Sequence, residues 1–230
     1  MKTRFIFYTA ELRRFFLGLV IGVFGLFGVA HAHPHMWIDA KLDLQFDAQG
    51  RLVGVAQEWV FDEMFSSYAK QGLPKSEDRV PPQAELDKIA ADWMSALADP
   101  MSHYFTTLTQ AGQTLAVGEP RGVKANWHVD SERLSLRFEL PLIEPVDAVR
   151  TPVTVSVADP TYFVAYDFEA PEAVTAQTAP SHCAVTYKPP ERLDDAVAAR
   201  LAAIPPSGTL PPDLLVATQA LQHRVELTCP

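Results

Sequence analysis

The sequence predicts an α+β fold, mainly antiparallel β-sheet in a sandwich-like arrangement, with a few helices. Three observations predict it. Several segments alternate apolar and polar residues with period two, as half-buried strands do. These segments are short and separated by turn residues, the pattern of sandwiches and antiparallel sheets. Only a few stretches carry apolar residues at helical spacing.

The first strand is the clearest element. From 33 to 47, Met36, Ile38, Ala40, Leu42, Leu44 and Phe46 fall on one face. His33, His35, Trp37, Asp39, Lys41, Asp43, Gln45 and Asp47 fall on the other. One face is therefore core and the other, with His33, His35 and Asp39, faces solvent. Asp47-Ala48-Gln49-Gly50 is a turn, and 52–61 reads as the returning strand. Residues 62–72 read as helical until Gly72 and Pro74 stop them. Pro81-Pro82 precede a second helix over 84–98, with Leu86, Ile89, Ala90, Trp93, Met94 and Leu97 inward. Asp99-Pro100 ends it. Strands are then expected over 104–109 and 114–117, around a Gln-Ala-Gly-Gln turn. Alternation continues over 134–140 and 153–157, and Tyr162, Val164, Tyr166 and Phe168 form one face of a further strand. Residues 171–180 read as a loop and 184–188 as a short strand. Helices over 194–204 and 214–221, separated by proline pairs, lead to a closing strand over 224–229.

The chain has 230 residues. Lys2, Arg4, Arg13 and Arg14 precede an uncharged apolar run over 15–30, which ends in Ala30-His31-Ala32. Basic front, apolar middle and small-x-small cut site are the three parts of a secretory leader. The run is shorter than the roughly 20 residues that span a bilayer. Residues 1–32 are expected to be a cleaved signal peptide, the alternative being a retained anchor. Residues 33–230 are expected to form a single exported α+β domain, about 200 residues being enough for one sizeable core. Arg13-Arg14-Phe15-Phe16-Leu17 also resembles a twin-arginine export signal. The general secretion route is the expected one.

The formal net charge is −9. Such a balance argues against nucleic acid and anionic lipid as partners and suits the collection of cations. Two cysteines are present, Cys183 and Cys229. In an oxidising compartment a lone pair bridges, tying the C-terminal strand to the strand near Cys183. The alternative, a thiolate metal site, lacks the close spacing of a zinc knuckle.

Cleavage after Ala32 would leave His33 as the new N-terminus, followed by Pro34 and His35. A terminal histidine offers two metal ligands, its amine and a ring nitrogen. The familiar N-terminal copper and nickel motif also needs the backbone amide of the second residue, and Pro34 has no amide hydrogen to lose. What remains is a brace of the His33 amine and ring, completed by His35 or a distant histidine. Imidazole suits copper, nickel and zinc alike. Weaker candidate ligands are His128, beside Trp127, and His103, after the Asp99-Pro100 stop. Asp62 and Glu63 either ligate a metal, act as an acid/base pair, or simply favour a helix N-terminus. No phosphate loop, nucleophile elbow or clustered triad is present, and the chain is read as a non-enzyme with no catalytic residue.

His33-Pro34-His35-Met36-Trp37-Ile38-Asp39 after a leader resembles the opening of the bacterial family known as domain of unknown function 1007. The stretches Trp59-Val60-Phe61-Asp62-Glu63-Met64-Phe65-Ser66 and Asp159-Pro160-Thr161-Tyr162-Phe163 are similar to that family's other recurring segments. The resemblance covers the whole chain after the leader. It implies a periplasmic component of a transport system associated with nickel/cobalt-type permeases. The sites it transfers are His33, His35 and Asp39.

The expected function is that of a periplasmic accessory protein binding a divalent transition metal, whether nickel, cobalt, copper or zinc. It would serve an inner-membrane metal permease or ABC-type transporter. His33 and His35 would bind, and Asp39 would orient one imidazole as an acceptor. Two alternatives stand beside it: a brace-type copper enzyme acting on an extracytoplasmic substrate, and a metal-free interaction module.

Overall fold

The period-two alternation of the first segment becomes strand β1 (Met36–Phe46), in which Ile38, Ala40, Leu42 and Leu44 are buried and Trp37 and Lys41 exposed. The structure is a computed structural model that describes residues 34–74, 80–168, 171–205 and 208–230. The expected leader over 1–32 and His33 lie outside these residues. Strand β2 (Leu52–Phe61) returns antiparallel to β1, with Ile38 opposite Phe61 and Leu44 opposite Val55.

Helix α1 (Glu63–Ala69) follows β2 directly, and helix α2 (Gln83–Leu97) buries Leu86, Ala90 and Met94 at helical spacing. Next come β3 (Thr106–Gln110), β4 (Gln113–Thr114), β5 (Arg121–His128), β6 (Arg133–Val146) and β7 (Val153–Val157). The chain continues through β8 (Val164–Asp167), β9 (Val174–Thr175) and β10 (Ala184–Lys188). Helices α3 (Asp195–Ala202) and α4 (Pro212–Thr218) precede the closing strand β11 (His223–Thr228).

One sheet has the order β5-β6-β2-β1-β8, with β9 also pairing on β1; the other has the order β10-β11-β7-β3-β4. Pairing is antiparallel except where β8 and β9 run parallel to β1. This is the α+β, mainly antiparallel architecture expected from the alternation. Both sheets contribute to one apolar core: Leu42, Trp59, Leu136 and Phe138 come from the first, and Leu108, Val155, Val225 and Leu227 from the second. A small satellite of Leu201, Leu210 and Leu214 sits under α3 and α4. Cys183 and Cys229 are joined, with Cα atoms 4.1 Å apart, so the bridge closes β11 onto the entry to β10 as expected. Among the described residues no helix is long and apolar enough to cross a membrane.

Three expectations are corrected. Tyr104 and Phe105 do not belong to a strand; His103–Phe105 is a tight turn in the left-handed region, and β3 starts at Thr106. Tyr162 does not share the face of Val164 and Tyr166, because it too is left-handed (φ 55°) in the turn before β8. The loop over 171–180 contains a helical turn and the short strand β9, whose Val174 pairs with Leu42. The His103–Phe105 turn and β9 depend on distant segments, through Gln57 and Leu42, whereas the Tyr162 turn is closed locally by Asp159.

Candidate site at the start of strand β1

The N-terminal end of β1 is held from two sides. On one side lies the loop before β8. Asp159 is buried there, and its carboxylate accepts from Thr161 N at 2.8 Å, Thr161 Oγ1 at 2.7 Å and Val164 N at 2.9 Å. An aspartate accepting from residues just ahead in sequence closes a compact turn. The turn aims the Phe163 carbonyl at β1, where it accepts from His35 N at 2.9 Å and Met36 N at 3.2 Å. The rings of His35 and Phe163 lie 4.8 Å apart between centroids, at an interplanar angle of 34°. His35 is thus half-buried rather than extended into solvent, and its Nε2 is buried.

On the other side lies Asp62. It is the N-cap of α1, where Oδ1 accepts from Phe65 N at 2.8 Å, and Oδ2 accepts from Trp37 N at 2.8 Å. The backbone N–H of Asp62 donates to Trp37 O at 2.9 Å. Both carboxylate oxygens therefore hold amide hydrogens, which assigns Asp62 to the cap and the strand end. Glu63 is exposed in the first turn of α1, where a negative charge suits the helix dipole.

Among the described residues Asp39 meets a guanidinium rather than an imidazole. Its Oδ2 lies 2.5 Å from Arg133 Nη1. The same guanidinium donates from Nε to Phe61 O at 2.6 Å and from Nη2 to Val60 O at 2.9 Å. Arg133 so ties β6 to both β2 and β1. Four residues of strand, roughly 13 Å, separate Asp39 from His35. Asp39 thus belongs to the Arg133 clamp.

The other candidate ligands are dispersed. His128 ends β5, three strands from β1, and its Nε2 lies 2.9 Å from Ser135 Oγ. His103 sits on the left-handed turn before β3, with Nδ1 2.9 Å from Thr106 O. Neither joins His35 in a group of three potential ligands among the described residues. Among the described residues the one grouping of three potential ligand atoms is His182, Cys183 and Cys229, and its two sulfurs are bonded to each other. His223 is buried against the rings of Phe168 and Tyr187, with Nδ1 2.8 Å from Tyr187 Oη. Burial pushes its pKa below the ordinary value, against a bond with the Tyr166 backbone and the charge of Asp167. Tyr166 is buried as well, and burial, reinforced by the Asp159 charge, raises its hydroxyl well above the usual range.

Of the predicted metal ligands, the described residues thus place one imidazole, that of His35, at the strand end. His33, the other predicted imidazole of the pair, lies outside the described residues. Sequence reasoning did not single out Asp159, although Asp-Pro-Thr after a strand is a turn signature, or Arg133, which carries no local signal.

Residues 18–229 match the family described as "Protein of unknown function (DUF1007)", and the chain belongs to that family. It is also similar to a protein of Haemophilus influenzae described as uncharacterized: the two are 27% identical over 165 residues, covering 72% of this chain and 76% of the relative.

Proposed function

We propose that this member of the DUF1007 family is a periplasmic metal-binding accessory protein. It takes up a divalent transition-metal ion through His33 and His35 and passes it to an inner-membrane permease or ABC-type transporter. The observation that supports the reading is the anchoring of His35. Its backbone is bonded to Phe163 O, its ring rests on Phe163, and Asp62 pins the next turn of strand at Trp37. A ligand fixed on a strand end loses little freedom on binding a metal, which favours affinity.

The donor set fits the cargo. His33 and His35 are separated by one residue in sequence. Two imidazoles and one amine suit nickel, cobalt, copper or zinc. The Cys183–Cys229 bridge is in keeping with an oxidising compartment. The net charge of −9 favours encounter with cations. No catalytic step is assigned.

The test is calorimetric titration of nickel, cobalt, copper and zinc into two proteins. One is purified untagged from the periplasm, with its first residue checked by intact mass. The other carries one extra residue before His33. The expected result is tight binding by the first and a loss of at least tenfold in the second, because its amine has become an amide. Equal binding by both, or a mature chain that starts elsewhere, overturns the reading.

A further inference from the structure

A cavity of about 440 Å³ opens on the far side of the Asp159–Val164 loop. Its walls come from the His103–Phe105 turn, β3, β7 and the end of α4, with Pro160 at the boundary with the loop. It is separate from the His35 platform, and the metal reading does not use it.

One wall is strained. His103, Tyr104 and Phe105 have φ of 43°, 54° and 49°. Three successive left-handed residues, none of them Gly, Asn or Asp, persist only where the surroundings over-determine them. Here a buried chain of hydrogen bonds does so. Trp59 Nε1 donates to Gln57 Oε1 at 3.1 Å, Gln57 Nε2 to Thr106 Oγ1 at 2.7 Å, and Thr106 Oγ1 to Tyr104 O at 2.9 Å. Gln57 is 2% exposed, so its amide is satisfied by Trp59 and Thr106 rather than by water, and an apolar side chain there would orphan the buried Trp59 Nε1–H. Phe105 O is fixed in turn by Ala158 N at 3.0 Å.

The turn sets the chemistry of His103. A carbonyl oxygen only accepts, so the 2.9 Å contact to Thr106 O makes Nδ1 the donor of the neutral ring. Nε2 then carries the lone pair, and it has no hydrogen-bond partner among the described residues. The rest of the lining contains no Asp, Glu, Lys or Arg. Ser102, Thr107, Thr114, Ser156, Gln219 and Gln222 line it with side chains that both donate and accept. Met101, Phe105 and Leu215 supply apolar surface. A charged ligand would find no counter-charge there. A ligand whose hydroxyls also donate and accept, and whose C–H surface meets the apolar part of the wall, matches the lining, and the volume lies within the range of small-molecule sites.

We propose that this cavity binds a neutral, hydroxyl-rich small molecule of the sugar class, with one ligand hydroxyl donating to Nε2 of His103. The relay Trp59–Gln57–Thr106 is its positioning device.

The experiment titrates the processed protein, by calorimetry and by amide NMR, with glucose, galactose, maltose and N-acetylglucosamine. Glucose 6-phosphate and glucosamine serve as anionic and cationic controls. The expected result is saturable binding of at least one neutral sugar, with shifts at Thr106, Thr107 and Ser156. Its charged analogues should bind at least tenfold more weakly. His103→Phe and Thr107→Val should each lower affinity at least fivefold. His103→Gln, which restores an acceptor, should recover part of the loss. Thr107→Val lies outside the relay and keeps the test valid if the turn variant misfolds. Absence of shifts with all four neutral sugars overturns the proposal. So does equal binding of a charged analogue, or unchanged affinity in Thr107→Val. Zinc moving these resonances where no sugar does would reassign His103 as a metal ligand.

Discussion

Asp62 offers the sharpest separation of a structural carboxylate from a metal ligand. Asp62→Ala removes the N-cap bond to Phe65 N and the bond to Trp37 N, both 2.8 Å. Loss of an Asp cap costs about 1 kcal/mol. The Trp37 amide is at the surface, where water can replace the lost acceptor, so that bond adds about 0.5–1 kcal/mol. The sum is about 1.5–2 kcal/mol, or roughly 3–8 °C in Tm for a domain of this size. Asp62→Asn divides the two parts. Asparagine caps as well as aspartate, but its amide nitrogen cannot accept from Trp37 N, so it should lose only about 0.5–1 kcal/mol. Urea denaturation followed by fluorescence of the buried Trp59 measures both. Nickel and copper affinities of the two variants, taken well below their midpoints, should stay within threefold of the parent. A variant with parental stability but tenfold weaker metal binding would refute this reasoning and return Asp62 to the ligand set.

Stability should also depend on pH through His223. Its folded-state pKa is depressed by burial, so the unfolded chain binds the extra proton between that lowered value and about 6.5. Stability is therefore fully present above about pH 6.5 and falls as the pH drops toward the folded-state value. The urea midpoint should drop between pH 7.5 and 5, and His223→Gln should flatten that drop; an unchanged slope in the variant removes His223 as the cause. Removing the Cys183–Cys229 bridge opens a loop of 46 residues, for which chain entropy gives about 4 kcal/mol as an upper figure. Cys183→Ser with Cys229→Ser should accordingly unfold at lower urea, and a midpoint equal to the parent's would show that the bridge adds nothing.

The elements that the sequence disclosed are those whose causes are local or unique. The alternation over β1 is local, because each apolar residue on one face meets the same core. The disulfide was legible because two cysteines allow one pairing. A helix-capping role for Asp62 was among the open readings because an acid before a helix carries its own signal. What remained hidden depends on partners far away in sequence. Asp39 meets Arg133 across 94 positions, and nothing near either residue announces the pair. Gln57 reaches Thr106 across 49 positions, and that bond supports a left-handed turn that no glycine marks. His223 carries no motif, and only the fold packs it against Phe168 and Tyr187.

The geometry gives the three family-like segments a common physical task. His35 to Trp37 form the strand end; Asp62, from the second segment, holds it at Trp37; Phe163, from the third, holds it at His35. The loop that bears Phe163 is itself fixed at its other face, where Thr218 Oγ1 donates to Pro160 O at 3.0 Å. Pro160 and Thr218 also line the cavity beneath His103. The loop from Asp159 to Val164 is therefore a shared wall, with an imidazole platform on one side and a hydroxyl-rich cavity on the other. Its own rigidity rests on the buried Asp159 carboxylate, which accepts from two backbone amides and one hydroxyl. Tyr162, left-handed with φ 55°, lies within this turn, its N–H donating to Asp159 O at 3.0 Å.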